Sequence, residues 1–208
     1  MPDWKYENKY SGYVCGIDEA GRGPWVGPVV AGAVIFINRN VDKEILDNLN
    51  DSKKLSACKR ERLYDLLLKE AENGNLVYGI GEASAVEIDK FNILQATFLA
   101  MKRAVEKLKI KPQNALIDGN RLPKDFMCSC ECIIKGDALS YSISAASILA
   151  KVYRDNLMKS MALKYPGYGF EKNAGYGTKD HIEGLKKYGV TPEHRKSYRP
   201  IKELLQNA

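Results

Sequence analysis

Two adjacent carboxylates, Asp18 and Glu19, end an apolar run and precede Gly-Arg-Gly-Pro. Asp118 follows another short apolar stretch, and Asp137 lies between an apolar segment and a long helical pattern. Converging carboxylates repel one another and burial adds to the cost, so a stable fold keeps such a group only where a cation offsets the charge. Ligands that are all oxygen favour Mg²⁺ or Mn²⁺ over Zn²⁺. Two such ions about 4 Å apart could activate a water and stabilise the leaving oxygen of a phosphoryl displacement.

The two later acids also have ordinary structural interpretations. Asp118 precedes Gly-Asn, which is typical of a turn, and Asp137 could cap the helix that follows it. Taken singly, each is explained more simply in that way. The pair Asp18 and Glu19 before Gly-Arg-Gly-Pro is better explained by a functional site.

The glycine turn after these acids could bring the backbone close to another molecule. Gly21 and Gly23 allow conformations that other residues avoid, and Arg22 lies between them. Backbone N–H groups and a guanidinium could together face a phosphate or a sugar. A dinucleotide-binding fingerprint fits poorly, because the glycine spacing differs and the next segment predicts a strand rather than a helix.

The elements that must position these residues can be predicted from local patterns. Short apolar or alternating runs predict strands at 13–17, 29–37, 76–82, 115–117 and 131–134. Helical patterns cover 56–73, 91–109, 140–165 and 178–188, with Ser56 and Thr178 as N-caps. The order predicts an α/β fold with a mixed five-stranded sheet flanked by helices, a helical C-terminal cap, and antiparallel pairing of the first strands.

Length and charge suggest one catalytic unit over 1–208, with a core at about 13–165 and a basic C-terminal helical region at 166–208. Residues 1–150 carry 20 basic and 20 acidic side chains, whereas 151–208 carry 12 basic and 6 acidic. A basic surface attracts polyanions, so this region is expected to contribute to substrate binding. A basic face that is merely solvated explains the charge equally well.

The chain carries no pattern of a secreted or membrane protein. No apolar stretch approaches the roughly 20 residues of a membrane span, and the polar start lacks a signal-peptide core, so a cytoplasmic location is expected. The five cysteines lack the paired spacing of a disulfide framework. Cys128, Cys130 and Cys132 alternate, which predicts one face of a strand and favours buried thiols over a metal site.

Several blocks in order resemble the type 2 ribonucleases H, the ribonuclease HII family: GIDEAGRGPWVGPVVAGAV from residue 16, DSKKLS at 51–56, LIDGN at 116–120, KGDALSYSISAASILAKVYRD at 135–155 and YPGYGFEKNAGYGTKDH at 165–181. The resemblance implies a ribonuclease H-like fold and an endonuclease that hydrolyses the RNA strand of RNA/DNA hybrids. It also implies cleavage 5′ to single ribonucleotides in duplex DNA, giving 3′-hydroxyl and 5′-phosphate ends, for ribonucleotide removal and RNA primer processing.

The family's site residues carry onto matching positions of this chain. The resemblance makes Asp18, Glu19, Asp118 and Asp137 the catalytic ligands of Mn²⁺ or Mg²⁺, with two ions in the substrate complex. An Asp at the fourth position favours type 2 over the type 3 enzymes. The turn would inspect the 2′-hydroxyl and the next phosphate through its backbone. The substrate-binding residues implied are Gly21, Arg22, Gly23, Lys53, Ser147 and Tyr176.

Some positions depart from the family pattern. Asn173-Ala174 stands where many bacterial relatives have His-Lys, and Trp25 stands where Leu or Met is frequent. The end, IKELLQNA, lacks the aromatic pair of a sliding-clamp motif, so no clamp partner is predicted, and we expect a monomer. His181 and His194 are isolated in sequence, which favours structural or phosphate-proximal roles over catalysis.

Two other classes of function remain open from the residues. A non-catalytic module that binds hybrids could use the same basic region and glycine turn, but it would not need four acids. A glycosidase could use two of the carboxylates as acid and base. It would act without a metal and would leave the basic excess unexplained.

Overall fold

The structure is a computed structural model that describes residues 1–50, 52 and 55–206. Within them, one sheet has the order β3-β2-β1-β4-β5, with β1 at Val14–Ala20, β2 at Val29–Phe36, β3 at Leu76–Ala83, β4 at Asn114–Asp118 and β5 at Ser129–Ile133. The β1–β2 and β2–β3 pairs are antiparallel, whereas β1–β4 and β4–β5 are parallel. The predicted mixed five-stranded sheet is confirmed, as is the antiparallel pairing of its first strands.

Helices flank the sheet, and caps set several of their boundaries. Ser56 accepts the Lys59 N–H at the start of α2, and Thr178 caps α7. Asn92, at φ 67°, accepts the N–H groups at the start of α4 and separates it from a short α3 that the sequence did not predict. The helices are α1 (Lys43–Asn48), α2 (Ala57–Glu72), α3 (Ala85–Phe91), α4 (Ile93–Glu106), α5 (Tyr141–Lys164), α6 (Phe170–Asn173), α7 (Lys179–Tyr188) and α8 (Arg199–Gln206).

Strand β1 continues past the boundary that its apolar pattern predicts. The run of apolar residues ends at Ile17, but β1 reaches Ala20 because β2 supplies a continuous antiparallel ladder beside it. Asp18 pairs with Gly32, and Glu19 pairs with Ala31. Since side chains alternate along a strand, the two adjacent acids leave the sheet on opposite faces.

The sheet is buried on both faces. One face packs on α4 and the other on α5 and α2. Helix α5 lies very close to the sheet: a Cβ built at Gly16 would be 2.2 Å from the Ile143 nitrogen, and one at Gly32 would be 2.4 Å from the Ala146 oxygen. These two glycines therefore let α5 lie directly against β1 and β2, which brings the Ser147 side chain to the level of Asp18.

The C-terminal helices form a cap with a small core of their own. Val26, which follows the glycine turn, is buried with Met158 of α5, Phe170, Leu185 and Ile201. This packing attaches the cap to the segment between β1 and β2. The predicted helical C-terminal cap is thereby confirmed.

Two further observations concern membrane spans and cysteines. No helix in the described parts of the chain is both long and apolar enough to cross a bilayer. Cys130 and Cys132 lie on β5, directly after Cys128, and all three thiols are half-buried rather than buried. Since β5 is an edge strand, only part of each side chain is covered.

Candidate active site

The sheet register places two of the predicted acids side by side. Strands β1 and β4 run parallel with Ile17 opposite Ile117, so Asp18 and Asp118 follow at the same level on neighbouring strands. Asp118 is the last residue of β4, and its Oδ1 accepts the Gly136 N–H at 2.7 Å. Asp137 is the next residue, in a short 3₁₀ turn. Asp18, Glu19, Asp118 and Asp137 therefore lie around one edge of the sheet.

The ordinary interpretations of the later acids do not describe their positions. Asp118 ends a strand and binds the backbone of the turn after β5, rather than closing a local Gly-Asn turn. Helix α5 is capped by Ser140, whose hydroxyl accepts the Ile143 N–H. Asp137 precedes that cap by three residues and is not the cap itself.

Burial and charge act together on Asp18. Its side chain is only 6% exposed, and burial raises its pKa well above the ordinary value. The charges of Glu19 and Asp118 raise the pKa further. Hydrogen bonds from the Ser147 hydroxyl and the Glu19 backbone N–H lower it in part. The carboxylates are thus close enough to repel one another, as expected of a group that a cation would stabilise.

The acids do not yet form a closed ligand cage. Among the described residues, no three His, Cys, Asp or Glu side chains are grouped so that they could hold a metal ion as they stand. Ser147 lies against Asp18, and its Oγ is 2.9 Å from the Ser52 hydroxyl oxygen. The buried Ser147 side chain therefore contacts Asp18 from the interior of the protein.

The glycine turn lies beside the acids. Gly21 has φ +94°, and a Cβ there would be 1.9 Å from Arg154 Nε, so only glycine fits. Arg22 donates from Nη1 to Glu19 Oε1 at 3.2 Å and is half-exposed. A Cβ at Gly23 would be 3.2 Å from the Tyr176 ring. The turn, Glu19 and Tyr176 are therefore immediate neighbours.

A cleft of about 460 Å³ runs between these parts. Tyr176 is 50% exposed, so its ring is available in the cleft. The positively charged side chains of the cleft include Arg22 of the glycine turn, Arg60 of α2 and Lys151 of α5. The lining includes Gly21, Arg22, Gly23, Ser52, Arg60, Lys151 and Tyr176.

A second cleft of about 400 Å³ opens on the α4 side and also includes Glu19, Arg22 and Asp118. Glu19 therefore lines both clefts, and Asp118 lines the second one. Lys53, the remaining predicted contact, lies outside the described residues.

Other residues that shape the site gave no sequence signal. Arg154 and Arg195 are 2% and 0% exposed, and both donate to backbone carbonyls near the turn. Arginine is ordinarily a surface residue, so neither position attracts attention in the sequence. The carbonyls near the turn that they bind, such as those of Pro28 and Gly21, lie more than 120 residues away in sequence. Only the fold reveals these contacts.

The two histidines are not isolated, as they are in sequence. His181 Nε2 lies 3.1 Å from His194 Nε2, and both side chains are buried. His181 Nδ1 lies 2.9 Å from the backbone carbonyl oxygen of Tyr176, and the Thr191 N–H donates to His194 Nδ1 at 3.0 Å. The pair links the Tyr176 loop to the C-terminal segment.

Comparisons with known proteins identify the family of this chain. A sequence model of the family described as Ribonuclease HII matches residues 15–201, which is most of the chain. The chain belongs to the ribonuclease HII family. It is 51% identical over 205 residues to the ribonuclease HII of Rhodospirillum rubrum, an alignment that covers 99% of this chain and 92% of that protein.

Solved structures give the same answer for the fold. The ribonuclease H2 of Pyrococcus horikoshii OT3 has a TM-score of 0.75 and 29% identity, covering 94% of this chain and 98% of that one. The Bst ribonuclease HIII in complex with Mn²⁺ has a TM-score of 0.69 at 16% identity, covering 95% of this chain and 70% of that one. At this identity the similarity concerns the fold alone. The ribonuclease H-like fold is confirmed.

Membership of this family establishes the general activity. The protein is an endoribonuclease, a hydrolase of the ribonuclease H class that acts on RNA/DNA hybrids. This class depends on divalent metal ions. Neither a glycosidase nor a non-catalytic binding module fits that assignment.

Proposed function

We propose that this protein cleaves duplex DNA on the 5′ side of single embedded ribonucleotides as well as the RNA strand of hybrids. The cut leaves a 3′-hydroxyl and a 5′-phosphate and serves ribonucleotide removal and RNA primer processing. One observation carries the proposal: the Gly21–Gly23 turn and Tyr176 line the same cleft as Glu19, directly beside Asp18. Groups able to distinguish ribose from deoxyribose therefore lie next to the carboxylates that repel one another.

The four acids are proposed as the metal ligands. Their donors are all carboxylate oxygens, which fit Mg²⁺ or Mn²⁺. The raised pKa of Asp18 reflects burial and repulsion that a divalent cation would offset. Two ions held by these acids would supply the positive charge that activates a water and stabilises the leaving 3′ oxygen. The chain itself orients two of the acids, through the Gly136 N–H on Asp118 and the Glu19 backbone N–H on Asp18.

Recognition of ribose is assigned to the turn and to Tyr176. A 2′-hydroxyl both donates and accepts, so polar groups at that position can distinguish RNA from DNA. The N–H groups of Arg22 and Gly23 would face the ribonucleotide. The half-exposed Tyr176 ring, in contact distance of Gly23, would stack on the following deoxyribose.

Phosphate contacts are assigned to cations of the same cleft. Arg22, Arg60 and Lys151 line it, and positive side chains there attract the strand backbone regardless of base sequence. The phosphate contact of Lys53 stays a prediction. Because region 166–208 supplies Tyr176 and is attached to the turn, we propose that all 208 residues act as one catalytic unit.

The test is a cleavage assay on a DNA duplex with one ribonucleotide. An all-DNA duplex and a continuous hybrid serve as controls, each with Mg²⁺, Mn²⁺ or chelator. We expect a metal-dependent cut 5′ of the ribonucleotide that is lost in Asp18→Asn. Asp65→Asn, at an exposed acid on α2, is the matched variant and should cleave normally.

Three results would contradict the proposal. Cleavage of the continuous hybrid alone would restrict the activity to long hybrids. Cutting in chelator would exclude the metal site. An active Asp18→Asn protein would remove that acid from the mechanism.

A further inference from the structure

The carbonyl groups of the glycine turn are held from the far end of the chain. Arg195 Nη2 donates to the Gly21 oxygen at 2.6 Å, and Nη1 donates to the Arg22 oxygen at 2.9 Å. Its Nε donates to the Gly27 oxygen at 2.9 Å. One planar guanidinium thus fixes three carbonyl groups on both sides of the turn, in the rigid fork geometry that only arginine provides.

A tyrosine completes the arrangement. The Tyr198 hydroxyl donates to the same Arg22 oxygen, and Arg195 Nη1 donates to that hydroxyl at 3.0 Å. The Arg22 carbonyl therefore has two donors, both from the segment after α7. Rotation of the Arg22–Gly23 peptide would break both hydrogen bonds at once.

The charge of Arg195 is committed to this turn. Its side chain is 0% exposed, and none of the described residues places a carboxylate within 4.0 Å of its guanidinium. Burying a charge without an ion pair costs free energy, so the other contacts of that charge must stabilise it. Here those contacts are backbone carbonyls and the Tyr198 hydroxyl.

The orientation of the carbonyls determines where the N–H groups point. In a trans peptide the C=O and N–H point in opposite directions. With the Gly21 and Arg22 oxygens directed at Arg195, the N–H groups of Arg22 and Gly23 point away from it. No described residue accepts either N–H, and both residues line the cleft. Two successive backbone N–H groups of this kind form a binding site for an oxygen anion or a hydroxyl oxygen.

We infer that Arg195, together with Tyr198, is a positioning residue that directs the Arg22 and Gly23 N–H groups at the 2′-oxygen and neighbouring phosphate of the ribonucleotide. This inference rests on the proposed function. It assigns the ribose-versus-deoxyribose preference to residues that do not contact the substrate. The C-terminal segment thereby controls selectivity as well as stability.

The test compares two tyrosine variants that each lose one hydroxyl. Tyr198→Phe removes the donor to the Arg22 oxygen, whereas Tyr168→Phe removes an equivalent bond to the Gly189 oxygen, 2.8 Å long and away from the cleft. The readout is the ratio of Kd for an all-DNA duplex to Kd for the duplex with one ribonucleotide, with metal chelated so that neither strand is cut. Thermal unfolding is recorded for each protein.

Tyr198→Phe should lower this ratio by about threefold to tenfold, as expected for one lost hydrogen bond. Arg195→Lys, which keeps the charge but loses the fork, should lower it further. Tyr168→Phe should reduce stability and leave the ratio within about twofold of the wild type, since it disturbs no group that faces the cleft.

Each outcome decides a different claim. If the wild type does not cut the ribonucleotide duplex in the metal-dependent cleavage assay, the proposed function fails and this inference fails with it. If the wild type cuts that duplex but binds the two duplexes equally, the inference alone is wrong. If the wild type shows the preference and folded Tyr198→Phe and Arg195→Lys keep it, the inference alone is wrong. An equal change in Tyr168→Phe would mean that lost stability, not positioning, lowers the ratio.

Discussion

The buried histidine pair predicts how the stability of this protein depends on pH. The Thr191 N–H donates to His194 Nδ1, so in the neutral ring the proton sits on Nε2 and faces His181 Nε2. His181 then carries its proton on Nδ1 and donates to the backbone carbonyl oxygen of Tyr176. An added proton on either ring would place two N–H groups face to face. Both rings are therefore held neutral.

The surroundings of the pair disfavour a charge, although backbone hydrogen bonds at Tyr176 and Thr191 raise the two pKa values in part. Rings of Trp25, Tyr168 and Phe170 pack against it. Burial and, to a smaller extent, the charge of the neighbouring His181 together lower the pKa of His194 from 6.5 to about 4. The pKa of His181 is also lowered by burial.

The sign and size of the effect follow from these pKa values. The unfolded chain binds the His194 proton first, so stability is complete above pH 6.5 and is lost as the pH falls towards 4. At about 1.4 kcal/mol per pKa unit, the total loss is about 3 kcal/mol. About 2 kcal/mol of it falls between roughly pH 7.5 and pH 5. His181 contributes in the same direction.

The assay is urea unfolding of the wild type and His194→Gln at several pH values in that range. The chain has only two histidines, so no other imidazole titrates. Asp18 acts with the opposite sign, because its raised pKa stabilises the folded state as the pH falls. That contribution is common to both proteins and cancels in their difference.

The free energy of unfolding of the wild type should approach that of His194→Gln by about 2 kcal/mol between roughly pH 7.5 and pH 5. His181→Gln, which keeps His194 but removes its neighbour, should show a smaller change. A difference between wild type and His194→Gln that stays constant over this range would refute the argument.

Three further predictions concern the site and its supports. Asp18→Asn should raise the free energy of unfolding in chelator, because it removes a repelling buried charge. In the wild type, Mn²⁺ at a hundredfold excess over Kd should add about 2.7 kcal/mol to the free energy of unfolding, measured by thermal unfolding. The variant should show no such stabilisation. Gly21→Ala should lose cleavage and about 1–3 kcal/mol of stability, whereas Gly74→Ala, at a similar positive φ but in open space, should cleave normally. Glu7→Ala should cost about 2–3 kcal/mol in urea unfolding, because the buried Glu7 Oε1 accepts from the Ser142 N–H and hydroxyl at the start of α5; an unchanged midpoint would contradict this.

Local features of the sequence determined the elements and the chemical character of the site. Apolar periodicity located the strands to within a few residues, and Ser56 and Thr178 cap the helices that their positions predicted. These signals are local, because caps and side-chain alternation depend on residues a few positions apart. The ordered motifs identified the family. Short helices such as α1 were missed, since six residues carry little periodicity.

Only the tertiary structure decided which of these residues meet. Asp18 and Asp118 stand side by side because β1 and β4 pair in parallel at one register. Arg195 reaches Gly21 across 174 positions of sequence, and His181 meets His194 across 13 positions. Such contacts arise when long-range packing closes the chain, so no local pattern encodes them. The acids were predictable as a set of residue types, whereas their repulsion and the fixed orientation of the turn are properties of the fold.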